Sequence, residues 1–163
     1  MKNFNLVLLF LFCVTSIGCG MNSSRPVDLP ALSSCKITIT QKGVPLPEAT
    51  VMVISKSTSA KYRTASGVTD NSGVADLRTY GFSGAPVGEF KVVVKKTVLE
   101  GAEERTDESG VKQVVGGQDY NLVNKKYSNE ETTDLELEIK TGENVFSFDV
   151  GEPVHELGDS IKM

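Results

Sequence analysis

The sequence contains no tryptophan, and aromatic residues make up only 7% of its 163 residues. A core built from such a chain must rely on valine, isoleucine, leucine and a few phenylalanines. The length gives room for one domain. Positive charge is also scarce, because 17 lysines and arginines are set against 21 acidic residues and form no basic stripe. Nucleic acid, whose phosphate backbone requires such a stripe, is therefore not an expected partner.

Histidine and cysteine, the residues that most often bind zinc or serve in catalysis, are almost absent. His155 is the only histidine, and Cys13, Cys19 and Cys35 are the only cysteines. Because two of these cysteines lie in or at the end of an N-terminal leader, neither a disulfide framework nor a zinc cluster is expected. A zinc peptidase needs several ligands around an open metal position, and a Ser–His–Asp arrangement would depend on His155 in a polar tail. We therefore predict no catalytic residues, no metal site and no cofactor.

Long apolar runs are lacking except near the N-terminus. Lys2 is followed by an apolar run from Leu6 to Val14, and small residues then lead to Cys19. This layout is typical of a secretory signal, and the run is far shorter than the ~20 residues that a membrane-spanning helix needs. The sequence therefore predicts an exported protein whose signal peptide occupies residues 1–18.

From residue 35 onward, apolar residues recur with a period of two, which is typical of half-buried strands. Cys35 shares this alternation with Ile37 and Ile39, so we interpret it as a small buried hydrophobe; the alternative is a reactive thiol. Turns rich in Gly, Pro, Asp and Asn separate the strands, as at residues 70–73. Many short strands without helical periodicity predict an all-β fold, an antiparallel β-sandwich of the immunoglobulin-like kind. Strands are predicted at residues 35–41, 49–55, 62–69, 74–80, 89–95, 135–140 and 146–150, and the side chains predicted to point inward are Phe90, Val92, Val94, Leu135, Leu137, Ile139, Phe146 and Phe148.

Residues 97–131 interrupt this pattern with Gly, charge and few large apolar side chains. We predict a solvated polar excursion from a sandwich that spans residues 35–150, with room for one short hairpin. The polar C-terminal tail is predicted over residues 151–163. One interpretation of the excursion's acidic residues is a calcium site, but they lack the alternating spacing of a calcium loop, which favours plain solvated surface. These residues are Glu100, Glu103, Glu104, Asp107 and Glu108.

The end of the leader resembles the lipobox of bacterial lipoproteins, in which a small residue precedes a cysteine that is acylated and becomes the new N-terminus. Gly18 and Cys19 match this pattern, and Ser16 stands where leucine is usual. The resemblance implies lipidation at Cys19 followed by a flexible tether over residues 19–34. The alternative is an ordinary cleaved signal in which Cys19 is incidental.

Five segments of the mature chain, taken in order, resemble the carboxypeptidase-regulatory-like domain of small bacterial lipoproteins. They are residues 42–51 (KGVPLPEATV), 69–73 (TDNSG), 84–92 (GAPVGEFKV), 127–135 (YSNEETTDL) and 144–148 (NVFSF). The resemblance implies a transthyretin-like sandwich of about seven strands, in line with the alternation of the chain. It implies no chemistry of its own, because in the enzymes that gave the family its name this domain accompanies a separate zinc peptidase domain.

Three functions follow as hypotheses. The first is a non-catalytic, lipid-anchored envelope protein, facing the periplasm or the cell surface, that binds or scaffolds an envelope protein or a glycan. The second is a freely secreted structural or matrix protein without lipid. The third, a transthyretin-like hydrolase, is disfavoured because those enzymes use more than one histidine and a terminal Tyr-Arg-Gly-Ser motif, whereas this chain ends at residues 158–163 in GDSIKM.

Overall fold

The computed structural model describes residues 25–158, which fold mainly into β-strands. The predicted signal peptide over residues 1–18 and the predicted lipidation site at Cys19 lie outside these residues. Within the described part of the chain, no helix is long and apolar enough to cross a membrane. The elements in chain order are β1 (Leu32–Gln41), β2 (Val44–Pro45), β3 (Thr50–Ser55), β4 (Thr64–Val68), β5 (Val74–Asp76), β6 (Arg78–Thr79), β7 (Phe82–Ser83), β8 (Ala85–Pro86), β9 (Gly88–Lys95), β10 (Thr97–Thr106), β11 (Lys112–Asn121), the 3₁₀ helix Lys125–Ser128, β12 (Glu136–Ile139), β13 (Glu143–Asp149) and β14 (Glu156–Leu157).

The strands form two sheets that enclose the core, together with a separate hairpin. The larger sheet is antiparallel throughout and has six strands in the order β12-β9-β3-β4-β6-β7. In the smaller sheet, β1 pairs with β13 along one side and with β2, β5 and β8 along the other. The predicted all-β antiparallel sandwich is therefore confirmed. One pair departs from it, since β1 and β13 run parallel.

The core lies between the two sheets, where alternating side chains of both meet. In β1, Cys35, Ile37 and Ile39 are buried, as their shared alternation predicted. The parallel pairing with β13 places Ile37 opposite Phe146 and Ile39 opposite Phe148. The predicted inward residues all belong to this core: Phe90, Val92, Val94, Leu137 and Ile139 are buried, and Leu135, Phe146 and Phe148 are partly buried against it.

Residues 74–80, predicted as one strand, pass from one sheet to the other. β5 pairs with β1 in the smaller sheet, whereas β6 pairs with β4 in the larger sheet. Between them, the backbone NH of Leu77 donates to the carbonyl of Cys35 at 3.0 Å, and its carbonyl accepts from the NH of Gly84 at 2.8 Å. The single-strand prediction was wrong because the alternation continues through Leu77, the buried residue at which the chain changes sheets.

The turn predicted at residues 70–73 is confirmed. The Asp70 carboxylate accepts hydrogen bonds from the backbone NH groups of Ser72 and Val74 at 2.8 and 3.0 Å. Gly73 adopts a φ of +75°, which glycine tolerates best, and its carbonyl accepts from the NH of Ile39 at 2.8 Å. The turn is therefore fixed directly onto β1.

The excursion over residues 97–131 contains a long hairpin rather than a short one. β10 and β11, of ten residues each, pair antiparallel along most of their length, and most of their side chains are exposed. At the tip, the Asp107 carboxylate accepts from the NH groups of Ser109 and Val111, both at 2.9 Å, and Gly110 has a φ of +84°. This geometry repeats the turn at Asp70 because residues 69–74 (TDNSGV) and 106–111 (TDESGV) share one pattern.

Both ends of the described chain are held by the domain. β1 begins at Leu32, so residues 32–34 belong to the sandwich rather than to the predicted tether. Before this strand, Leu29 is buried, and the hydroxyl of Tyr62 donates to the Asp28 carboxylate at 2.6 Å. In the predicted C-terminal tail, β14 pairs with β11. Long-range pairing, which composition does not reveal, therefore holds residues 32–34 of the predicted tether and residues 156–157 of the predicted tail.

Candidate functional site

A groove lies on the outer face of the larger sheet. Its floor contains Met52 and Ile54 of β3 and Val93 of β9, which alternate with the inward side chains of the same strands. Val93 is only 2% exposed although it points away from the core. Other parts of the chain must therefore cover this face of β9, and they create the concave site.

Two segments form the walls of the groove. The base of the hairpin contributes one wall through Thr97, Asp119 and Asn121, joined by Gly158 next to β14. The 3₁₀ helix and the residues that follow it, as far as Thr132, contribute the other wall. The cavity between them has a volume of about 720 Å³. This is within the size range of sites that hold a small molecule or a short stretch of polymer.

The helical wall is held in place by its own polar groups. The side-chain carbonyl of Asn129 accepts from the backbone NH of Glu131 at 2.9 Å. The hydroxyl of Thr132 donates to the carbonyl of Lys126 at 2.8 Å. Because these bonds join groups within the wall itself, this wall is pre-organised, which lowers the entropic cost of binding.

The opposite side of the groove has polar side chains with spare hydrogen-bonding capacity. Within residues 25–158, the side chains of Lys95, Thr97 and Asn121 make no hydrogen bond or ion pair. Together they offer an ammonium, a hydroxyl and an amide, so this side can both donate and accept. A ligand that lies on the apolar floor could therefore form new hydrogen bonds to this side.

The charges that line the groove balance. Lys95 and Lys125 contribute two positive charges, and Asp119 and Glu130 contribute two negative charges, so their formal sum is zero. Glu130 is in addition 3.5 Å from the guanidinium of Arg63. The groove therefore has no strong field of one sign and suits a ligand that is polar but close to neutral.

Among the described residues, the hydroxyls of the groove form no hydrogen-bonded pair with a base. No histidine among these residues lines the groove, and its hydroxyls at Ser128 and Thr132 donate to backbone carbonyls rather than to a base. Within residues 25–158, no group of three or more His, Cys, Asp or Glu side chains is arranged to hold a metal ion. The chemistry that this arrangement supports is reversible recognition.

The residues singled out in the sequence lie elsewhere. His155 stacks on the ring of Tyr120, with ring centres 4.1 Å apart, and its Nε2 is 3.1 Å from a carboxylate oxygen of Glu100. It therefore fastens the predicted polar tail to the hairpin. The acidic residues of the hairpin are spread along its length; Glu104 pairs with Lys112, and a hydrogen bond from the hydroxyl of Ser109 lowers the pKa of Asp107.

Cys35 is expected to be unreactive in the folded protein. Burial raises the pKa of its thiol in the folded protein to about 11. The nucleophilic thiolate is therefore scarce at neutral pH and becomes abundant only in strongly alkaline solution. We expect an alkylating reagent to leave Cys35 unmodified in mildly alkaline buffer and to modify it fully in denaturant. Peptide mass spectrometry would locate the label, and rapid modification of the native protein would contradict this burial.

The sequence carried a signal for the groove that the strand predictions did not use. The apolar runs that include Met52, Ile54 and Val93 place apolar residues on both faces of β3 and β9. Strands that are apolar on both faces are usually covered on both faces. This pattern therefore indicates a second covering layer, although it does not say which segment supplies that layer.

No protein-family model matches the chain, and no curated protein matches it. Among solved structures, 78% of the chain is similar to 45% of a protein from Bacteroides ovatus proposed to be an adhesin, with 21% identity and a TM-score of 0.38. The major pilin subunit of Bacillus cereus is matched over 79% of this chain and 31% of its own, with 13% identity and a TM-score of 0.30. A 9R-lipoxygenase from Cyanothece is matched over 78% of this chain and 18% of its own, with 13% identity and a TM-score of 0.36. The chain thus spans less than half of each protein, and similarity at this level assigns it to no family.

Proposed function

We propose that this protein is a non-catalytic binding module of the bacterial cell envelope, held at a membrane by lipid on Cys19. The observation that carries the binding role is the groove, which combines an apolar floor, a pre-organised wall and a side with unused polar groups. The sandwich beneath it is a rigid support of the kind on which binding surfaces are usually built. The resemblance to carboxypeptidase-regulatory-like domains supports the same role, because there the transthyretin-like domain is an accessory without chemistry.

The ligand that fits this groove best is a segment of another envelope protein. The half-exposed Met52 and Ile54 offer an aliphatic floor for one or two apolar side chains, and methionine adapts its shape readily. Thr97 and Asn121 can bond the backbone of the same segment. A glycan is the less favoured ligand, because no aromatic ring of residues 25–158 lines the groove to stack on a sugar.

The binding role predicts a strong effect of charge on the groove floor. Ile54→Lys should lower the recovery of partner by ~10-fold or more, because the loss of one buried aliphatic contact is worth about 1.5–3 kcal/mol. The matched control is Val68→Lys, since Val68 is an exposed residue of the same sheet outside the groove. The measurement is quantitative mass spectrometry of proteins captured by each variant from solubilised native envelopes.

Ile54→Lys and Val68→Lys should both unfold cooperatively at similar midpoints, because the long lysine side chain can reach solvent from either site. A protein that is lost equally from both variants binds through the general charge of the sheet, and the groove assignment then fails. Recovery of a glycan instead of a protein, with its loss in Ile54→Lys but not in Val68→Lys, would support the groove as the binding site but change the class of ligand.

The lipid anchor predicts a separate result. The mature protein should partition into the detergent phase, and Cys19→Ser should accumulate in cells at the mass of the unprocessed chain. The control is Cys35→Ser, which should be processed and should partition like the wild type. Recovery of mature wild-type protein in the aqueous phase, with an unmodified N-terminus beyond Asn22, would instead favour the freely secreted alternative.

A further inference from the structure

The tip of the β6–β7 hairpin has an unusual sequence for its geometry. Its two turn residues, Tyr80 and Gly81, both have positive φ, at +51° and +84°. Two-residue hairpin turns of this kind strongly prefer Asn-Gly or Asp-Gly, and a bulky side chain at positive φ is strained. Tyr80 nevertheless occupies the position and is 70% exposed. An exposed aromatic side chain at a strained turn indicates a role outside the fold's own stability.

Tyr80 belongs to a larger apolar surface at the end of the sandwich where the described chain begins. Its ring meets that of Tyr62 edge to face, with centres 5.2 Å apart. Tyr62 in turn bonds Asp28, which is next to the fully exposed Val27. We call the apolar side chains and cations at this end the entry surface; its exposed members are Arg25, Val27, Lys61 and Tyr80, and Phe82 is a half-buried member.

The cations of the entry surface lie over or beside its rings. The guanidinium of Arg25 is 5.8 Å from the ring centre of Phe82, and the ammonium of Lys61 is 5.6 Å from that of Tyr62. Tyrosine, lysine and arginine in such an arrangement are typical of the boundary between lipid and water. There the rings reach toward the acyl chains, while the charged groups remain with the headgroups.

The entry surface and the start of the β10–β11 hairpin lie at opposite ends of the larger sheet. In the larger sheet, Ser55 pairs with Phe90 at one end of β3, and Thr50 pairs with Lys95 at the other end. Ser55 leads into the loop that carries Tyr62, whereas Lys95 is followed almost at once by Thr97 and the hairpin. A membrane that contacts the entry surface would therefore lie at the end of the larger sheet opposite to the end where the hairpin begins.

We propose that the entry surface rests on the headgroup layer of a phospholipid bilayer, so that this end of the sandwich faces the membrane. This inference rests on the lipid anchor proposed above. Residues 19–24 join Cys19 to Arg25, and a fully extended chain of this length reaches at most roughly 20 Å. Lipid on Cys19 would therefore hold the entry surface within this distance of the bilayer.

The absence of tryptophan makes a direct test possible. The full-length lipoprotein is expressed with one tryptophan, in place of Tyr80 or of Val27, and reconstituted into vesicles of phosphatidylethanolamine and phosphatidylglycerol. Val111→Trp, at the exposed tip of the long hairpin, is the matched control. A fraction of the lipid carries a nitroxide on its headgroup, which quenches nearby indole fluorescence. We expect quenching at positions 27 and 80 to exceed that at position 111 several-fold.

Two entry-surface positions keep the result interpretable if tryptophan disturbs the turn at residue 80, since Val27 lies outside that turn. Tyr80→Asn, combined with Val27→Trp, should raise the unfolding midpoint by relieving the turn and should reduce the quenching at residue 27. Protein that floats with the vesicles but shows equal quenching at all three positions overturns the inference and leaves the anchor intact. Protein that does not float overturns the anchor, and this inference with it. Indole emission that is shielded at residue 80 only in native envelopes, and never in pure lipid, would assign the surface to a protein partner and also overturn the inference.

Discussion

Replacing Phe90 with alanine is expected to lower the free energy of unfolding by about 3–5 kcal/mol. Phe90 is only 1% exposed and is among the largest fully buried side chains of the described chain. It lies on β9 between β3 and β12, so its removal opens a cavity at the centre of the larger sheet. Small proteins are stable by about 5–15 kcal/mol, so this loss is a large part of the total. The measurement is denaturant unfolding at equilibrium.

The control for Phe90→Ala is Val145→Ala. Val145 lies on β13 with its side chain in solvent, and the substitution should change stability by no more than about 0.5 kcal/mol. A cost below ~1 kcal/mol for Phe90→Ala would show that the two faces of β9 are exchanged, because a shift of one residue moves every side chain of a strand to the other face.

Gly73→Ala and Gly110→Ala are expected to differ sharply although they alter the same turn motif. At Gly73, an added Cβ would lie 2.5 Å from the carbonyl oxygen of Ile39, too close for real atoms. The turn would have to move away from β1 and lose the bond from Ile39 to the Gly73 carbonyl. We expect a cost of about 2–4 kcal/mol, from the strain of alanine at positive φ together with one or two lost hydrogen bonds.

Gly110 provides the matched case, because an added Cβ there meets no atom within 4 Å. Gly110→Ala should strain the tip of the hairpin by about 1–2 kcal/mol. The midpoint of global unfolding should nevertheless change little, since the hairpin tip can open locally without unfolding the sandwich. The comparison is made by denaturant unfolding, with hydrogen exchange at the tip. Equal shifts for the two variants would mean that the hairpin unfolds as one unit with the sandwich.

The strands and their inward faces could be predicted because burial on one face leaves a pattern of period two in the sequence. Residues 35–41 illustrate this, since Cys35, Ile37 and Ile39 alternate with polar residues and all three are buried. The same rule failed at Leu77, where alternation continues while the hydrogen-bonding partner changes from β1 to β4. Which strand pairs with which is a long-range property, and the local pattern does not contain it.

The length of the hairpin was underestimated, although the sequence of its turn is recognisable. The residues TDNSG at the first turn were interpreted correctly, whereas TDESG at residues 106–110 lay inside a stretch dismissed for its charge. Alternation of apolar residues arises when one face of a strand is buried. Both faces of the β10–β11 ribbon are mostly exposed, so these strands show little alternation. Repetition of a turn motif is therefore the better signal for such an element.

The packing of the two ends of the described chain onto the domain could not be predicted for a different reason. Asp28 and Tyr62 are held by one hydrogen bond, and Glu156 pairs with Asn121, but neither partner lies near the other in sequence. The groove depends on the same kind of long-range placement, since its walls come from the hairpin base and the 3₁₀ helix. Only its floor is recorded locally, as apolar residues on the outward face of two strands.

Site-specific photo-crosslinking in intact cells tests the binding role of the groove most directly. A photoreactive side chain is placed at Asn121 in the groove wall, and at Val145, an exposed residue of β13, as the control. The lipid-anchored binding module proposed here predicts a discrete crosslinked product at position 121, lost when Ile54→Lys is added, and no such product at position 145. No product at position 121, or products of equal yield at both positions, would contradict the proposal that the groove is where this protein meets its partner.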